Sequence, residues 1–464
     1  MAIRSFDFSE RPNGRESRVD LVRIQVGQLW KLRPDLNEVV DDLLDVIAAV
    51  HVVDRLVKRS RVGGYACPRH LALTVPVAYP ERWAVQRQHL ISLLKWLTGD
   101  HWDIEFNGHL GRKRTRVPAI LSTGAPEMSR PFVGLYSGGL DSLAGAVAQA
   151  LDPQFDTGIL VGGQTGGGLK SLQSVQFAAL QERLPQVAWR PFQGFWHQVG
   201  AKNLADWFIR EQSQEKSQRS RALLFLTIGV ITALAHDVDT LHVYENGVGA
   251  INLPYTAAFT GADQTRAMHP HTLLLMERWL TGLLERPIHI VNASLWRTKG
   301  EMCAQVAAAG LGDLAALTAS CDSYPLHHVS HKQCGSCTSC VMRRVSLHAA
   351  GLHAEDAMAD RYRDDLSHLT AQGGADRRLA LRYMQQQAEQ FACLSVPGRM
   401  LDFRLAFAGL EDARRAIHEH SGLTLLEVDT RLGRLFGQYA REFAGFSHDL
   451  TSPTRPVALS PLVA

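Results

Sequence analysis

The chain has 464 residues, 45% of them apolar and 20% charged, with a formal net charge of +3. That length predicts two to four domains of about 100–200 residues, and that apolar share suffices for a sizeable core. So small a charge gives no electrostatic case for a nucleic-acid-binding protein.

The first eighteen residues are broken by charges and lack the apolar core of a signal peptide. Residues 1–125 read as an accessory α+β region. Leu21 to Val57 carries apolar residues at helical spacing, and His70 to Val77 alternates like a strand. A helix is expected from Glu81 to Leu97, stopped by Thr98-Gly99-Asp100, and then a strand at Trp102–Phe106. The basic run Gly111–Arg116 reads as a solvated hairpin or linker, with anion binding as the alternative.

From Pro131 short apolar strands alternate with helices, the pattern of a parallel α/β sheet. Strands are expected at Phe132–Tyr136, Asp156–Val161, Thr240–Tyr244 and Ile288–Val291. Helices are expected at Leu143–Leu151, Lys170–Arg183, Arg221–His236 and His271–Leu284. The longest apolar run, Ala222–Ala235, falls short of the about 20 residues that span a bilayer and reads as a buried helix. Amphipathic helices follow at Ala354–Leu369, Asp376–Cys393, Leu401–His420 and Leu425–Phe443. The Pro-containing tail is expected to be loosely held. The domains therefore run 1–125, 126–350 and 351–450, with the tail at 451–464. A cytoplasmic location without a membrane partner is expected, and its seven cysteines should then be free of disulfides.

Phe132–Tyr136 leads into Ser137-Gly138-Gly139-Leu140-Asp141-Ser142 as a strand, a glycine turn and a helix start. Such a turn aims backbone N–H groups outward at a helix N-terminus, where the dipole favours an anion. Ser137 and Ser142 add hydroxyl donors. Asp141 beside phosphate is repulsive unless it holds Mg²⁺ or caps the turn. No Gly-x-x-x-x-Gly-Lys-Ser/Thr sequence is present, so this is no Walker loop.

Cys334-Gly335-Ser336-Cys337-Thr338-Ser339-Cys340 contains two Cys-x-x-Cys steps, and Cys321 supplies a fourth thiolate. Four soft ligands with a glycine in the knuckle suit closed, tetrahedral Zn²⁺, with an iron–sulfur cluster as runner-up.

Together the loop and knuckle resemble the PP-loop ATP-pyrophosphatases, and within them the 7-cyano-7-deazaguanine synthases. Gly163-Gln164 matches that family's Gly-Gln, and Arg221 with Leu223–Leu226 resembles its Gly-Arg-Asn-Leu-Leu-Phe-Leu helix start. Thr298-Lys299-Gly300-Glu301 resembles its Thr-Lys-x-Glu, and Thr318–Cys321 its Thr-Trp-Ser-Cys. The resemblance covers about residues 131–350. It implies a Rossmann-like sheet of the adenine-nucleotide alpha-hydrolase type. It also implies ATP and Mg²⁺ on Ser137–Ser142, Gly163 and Gln164, structural Zn²⁺ on the cysteines, and a deazaguanine carboxylic acid as substrate. In the family the acid is adenylated, ammonia displaces AMP, and a second activation yields the nitrile.

Ala222 stands where the family has asparagine, and Glu245–Pro254 replaces its Ser-Gly-Tyr-Pro-Asp-Cys-Arg segment. With the N-terminal extension, Glu-Asn-Gly and His-Pro, the chain resembles divergent synthase-like proteins of bacterial antiphage operons, of the Qat type or of cyclic-oligonucleotide signalling systems. Lys299 and Arg221 are then expected to stabilise charge on phosphate beside Asp141, while Asn246 and His269 are candidates for substrate contact. The altered segment points to a protein amine as an acceptor alternative to ammonia, on a neighbour from the same operon. A homodimer is compatible with the sequence. A tRNA-modifying PP-loop enzyme and a non-catalytic ATP-binding scaffold are the competing readings.

Overall fold

The computed structural model describes residues 3–9, 22–25, 38–62, 65–108, 130–163, 167–190, 193–199, 215, 217, 219–255, 265–322, 333–354, 362–363, 366 and 375–451. The N-terminal elements are β1 (Ile3–Asp7), β2 (Val22–Gln25), α1 (Glu38–Leu56), β3 (Arg61–Val62), β4 (Tyr65–Ala66), β5 (His70–Val77), α2 (Pro80–Thr98) and β6 (His101–Gly108). β1, β5 and β6 form a parallel three-stranded sheet with β5 central. The alternation read along β5 buries Leu71, Leu73 and Val75. α2 starts on Pro80, whose fixed φ suits a first helical turn, and ends at Gly99, held at φ +71. The helical spacing read over 21–57 is correct only for α1. Val22-Arg23-Ile24-Gln25 alternates with period two, and its ladder partner is the edge of the main sheet.

The central elements are β7 (Pro131–Leu135), α3 (Leu140–Ala150), β8 (Thr157–Gly163), α4 (Gly167–Arg183), β9 (Ala188–Trp189), β10 (Gln193–Val199), α5 (Arg221–Ala235) and β11 (Thr240–Val243). After them come α6 (Gly247–Ile251), α7 (Pro270–Leu284), β12 (His289–Asn292), α8 (Lys299–Ala308), a 3₁₀ helix (Gly312–Leu317) and α9 (Thr338–Ala349). The main sheet runs β12-β11-β7-β8-β10-β2 with β9 also beside β8, and only the β10–β2 pair is antiparallel. From β7 the chain steps outward through β8 and β10, then returns to build β11 and β12 on the other side. The order reverses between β7 and β11. In open α/β sheets the crevice beyond the carboxyl ends of the strands at such a reversal is where ligands bind.

One apolar core joins the N-terminal sheet and α1 to a face of the main sheet, from Phe8 and Leu73 to Val133, Ile159 and Ile290. Buried ion pairs among Asp54, Arg59, Arg69 and Asp100 reinforce that junction, and Asp54 accepts from the Ser220 amide just before α5. The opposite face packs α3, α4 and α8 through Phe132, Leu143, Leu180 and Met302.

The C-terminal helices are α10 (Ala375–Leu394), α11 (Met400–Ala406), α12 (Gly409–Ser421) and α13 (Leu425–Thr451). Their core is aromatic, with Phe391 set among Phe403, Phe407 and Phe436. The single helix expected over Leu401–His420 is broken at Phe407, which leaves the helical conformation at φ −131 and packs its ring on Phe391 and Phe403. Nor is Ala354–Leu369 one helix: Tyr362 bridges Gln333 in parallel β fashion, and Arg344 stacks on its ring. The basic run Gly111–Arg116 and the tail after Thr451 lie outside the described residues. Among the described residues no helix is long and apolar enough to cross a membrane.

Candidate functional site

The loop after β7 is held from behind. Gly138 takes φ +84, a conformation open to glycine. Gln173 Nε2 donates to the Tyr136 and Ser137 carbonyls (3.1 and 3.3 Å), and Gln176 Nε2 donates to that of Gly138 (3.0 Å). The Ala319 amide also donates to Gly138. With the loop carbonyls occupied by these donors, the start of α3 is presented outward. Its cap, Gly139, makes no side-chain capping bond, so the helix N-terminus is suited to an anion. Ser137 Oγ lies 3.2 Å from Ser142 Oγ and accepts from the Gly139 amide. Leu140 is buried with Cys303, Ala315 and Leu347, so it can offer a ligand only its backbone.

Three segments that follow strands meet at Asp141. After β12, at the start of α8, Lys299 Nζ lies 3.3 Å from Asp141 Oδ2. From the end of β11, Asn246 Nδ2 donates to the same oxygen at 3.1 Å and to Glu245 Oε1 at 3.1 Å. Asn246 Nδ2 thus holds the Glu245 and Asp141 carboxylates side by side. Burial, then the Asp141 charge, push the Glu245 carboxyl well above its ordinary range against the pull of Lys299. On Lys299 burial opposes the charge, but Asp141 and Glu245 outweigh it and raise its pKa. Asp141 Oδ1 is buried and without a hydrogen-bond partner.

Small residues make this convergence possible. Tyr244 lies across Gly134 and Gly145, where an added Cβ would come within 2.3 and 2.2 Å of it. At Gly249 a Cβ would meet the Glu245 carboxylate at 2.4 Å. Asn246 also caps α6 by accepting from the Gly249 amide. On the other arm Thr298 and Glu301 form a reciprocal capping box, which makes Lys299 the first residue of α8.

Among the described residues, none of the remaining candidates is hydrogen-bonded or ion-paired to Asp141, Glu245 or Lys299. Arg221 opens α5 with its guanidinium 4.8 Å over the Phe225 ring, its Nε buried and without a hydrogen-bond partner. His269 caps α7 by accepting from the His271 amide and packs 5.1 Å from the Trp96 ring. Burial, then Arg266 and His271, push its pKa down to about 3, which keeps the ring neutral for that acceptor role. Gly163 ends β8, and Gln164 lies outside the described residues. Glu245 was missed as a site residue; its signal was its place at the carboxyl end of a strand, beside Asn246. Gln173 and Gln176 were also missed, though both are buried polar residues on a helix of otherwise ordinary pattern.

The sulfurs of Cys321, Cys334, Cys337 and Cys340 lie within 4.8 Å of one another, with Cys334 and Cys340 3.8 Å apart. Tetrahedral Zn–S bonds of about 2.3 Å imply sulfurs about 3.8 Å apart, so the set can hold a metal ion such as zinc. Gly335, at φ +85, forms the knuckle turn. The Cys334 amide donates to Cys321 Sγ and the Cys337 amide to Cys334 Sγ. From α9 the buried Arg343 donates to Thr318 Oγ1 (2.6 Å) and the Ala315 carbonyl (2.8 Å), so the segment touching Gly138 is anchored to the knuckle.

No protein-family model matches the chain, and no curated protein matches it.

Proposed function

We propose that the chain is an ATP-dependent enzyme that adenylates a carboxylic acid and passes the acyl group to an amine. The observation that carries this reading is the meeting of Asp141, Glu245 and Lys299 at an uncapped helix N-terminus, in the crevice where strand order reverses. The loop amides and the Ser137 and Ser142 hydroxyls bind the β and γ phosphates of ATP and leave the α-phosphate open. Lys299 stabilises charge gathering on the leaving pyrophosphate, and Arg221 is the second cation this reading assigns. The unpartnered Asp141 Oδ1, with Glu245, fits a divalent cation, and Mg²⁺ held there would offset triphosphate charge.

The substrate carboxylate attacks the α-phosphorus and pyrophosphate leaves. An amine then attacks the acyl carbon, and AMP leaves. The motif set favours a 7-carboxy-7-deazaguanine-like acid, in a divergent branch of the deazaguanine synthases that serves antiphage defence. The acceptor is ammonia or a protein amine, and the knuckle is a closed, structural zinc site in a PP-loop type of α/β domain.

The test is incubation with ATP, Mg²⁺, 7-carboxy-7-deazaguanine and either ammonium or proteins from neighbouring genes, followed by assay of AMP, pyrophosphate and the mass of every protein. AMP with a mass shift on a neighbour supports conjugation, whereas free nitrile alone rejects it. Tight ATP binding with no AMP for any acid offered favours a non-catalytic scaffold instead.

A further inference from the structure

The Lys299 motif is gripped from outside the α/β region. Glu442 on α13 stands 144 residues from Thr298, yet its Oε1 accepts from Thr298 Oγ1 at 2.5 Å and from Gln438 Nε2 at 3.0 Å. Gly300 makes room for it, since a Cβ there would lie 2.6 Å from the Glu442 carboxylate. Two turns earlier Arg434 bonds both carboxylate oxygens of Glu301 and the Trp296 carbonyl. Between them, Leu435 lies against Gly247, where a Cβ would meet it at 2.6 Å. One helix therefore presses on both arms that meet Asp141: the cap before Lys299 and the turn after Glu245-Asn246.

Thr298 is bound on both sides, accepting from the Glu301 amide and donating to Glu442. That fixes the helix cap immediately before Lys299, whose long side chain otherwise has many rotamers to choose from. We propose that Glu442 is a positioning residue for Lys299, holding its ammonium on Asp141 through Thr298. Burial pushes the Glu442 carboxyl up, so a neutral glutamine preserves its acceptor and its shape.

The kinetic arm of the test rests on the adenylation reading; the labelling arm does not. Turnover to AMP, KM for ATP, melting temperature and the rate of Lys299 acetylation by a limiting amine-reactive ester, read by peptide mass, are compared in the full chain. Glu442→Ala lowers kcat about ten-fold, as expected for the loss of one buried hydrogen bond, leaves KM within about two-fold and speeds Lys299 acetylation. Glu442→Gln restores kcat and the acetylation rate. Val428→Ala, a core change in the same helix, lowers the melting temperature and leaves kcat and labelling as in the parent. Glu442→Ala with parental turnover and labelling overturns the proposal, as does Val428→Ala reproducing its effects. If the parent makes no AMP with any acid, the adenylation reading fails, and the labelling comparison alone decides the role of Glu442.

Discussion

Asp141, Glu245 and Lys299 form a site in which each charge depends on the others. Two carboxylates in contact are tolerable in a buried place only with a proton, a lysine or a cation between them. Lys299→Ala should therefore lower AMP formation about 100- to 1000-fold, in the range found on removing a preorganised electrostatic donor. It should also weaken Mg²⁺-dependent ATP binding far less than turnover, which equilibrium titration beside a rate assay would check. Gly145→Ala tests the scaffold rather than the chemistry. Its Cβ would fall 2.2 Å from Tyr244, so overpacking should cost about 1–3 kcal/mol, and calorimetry should record a lower melting temperature. The loop, Lys299 and the four cysteines were legible because their chemistry lies in short runs of sequence. Glu245 was legible only in part, since a carboxylate after a strand gains meaning from the Asp141 it meets. Glu442 left no local signal, because its partners Thr298 and Gly300 lie in another part of the chain.

Strands β5 and β6 were readable from period two, since each buries one face, and α5 from its unbroken apolar run, since it is buried almost throughout. Helix starts were less so: α3 begins on Leu140, three residues before its expected start, because its cap is a glycine rather than a polar side chain. The break at Phe407 was invisible for another reason, since its ring packs on Phe391, a contact from a distant helix. The cysteine knuckle acts as an element too. Arg343 ties it to Thr318 and Ala315, and Ala319 bonds the Gly138 carbonyl. Chelation after thiol titration should release zinc, lower the melting temperature and weaken ATP binding together, with Cys340→Ser giving the same result without chelator. Zinc release with unchanged ATP affinity would show that the knuckle does not support the loop.

The whole molecule carries a pH dependence from buried neutral histidines. Burial pushes His236 and His242 down to about 4, and burial with neighbouring cations pushes His269 down to about 3. Each has a folded pKa below the unfolded 6.5, so the unfolded chain binds the extra proton. Their contribution to stability is complete above pH 6.5 and falls as pH drops toward each folded value, by about 1.4 kcal/mol per pH unit for each group, while Asp42, pushed up to about 7 by burial, works in the opposite sense over the same range. His269→Asn keeps an acceptor for the His271 amide and should flatten this acid slope in denaturant titrations between pH 6.5 and 4. An unchanged slope would mean that His269 is protonated in the folded chain.

The reach of α13 also orders the birth of the site in time. Loop, glutamate and lysine leave the ribosome well before Glu442 and Arg434, and long-range contacts can close only once both partners are out. A nascent chain can thus hold Asp141, Glu245 and Lys299 before the helix that grips the Lys299 cap has been made.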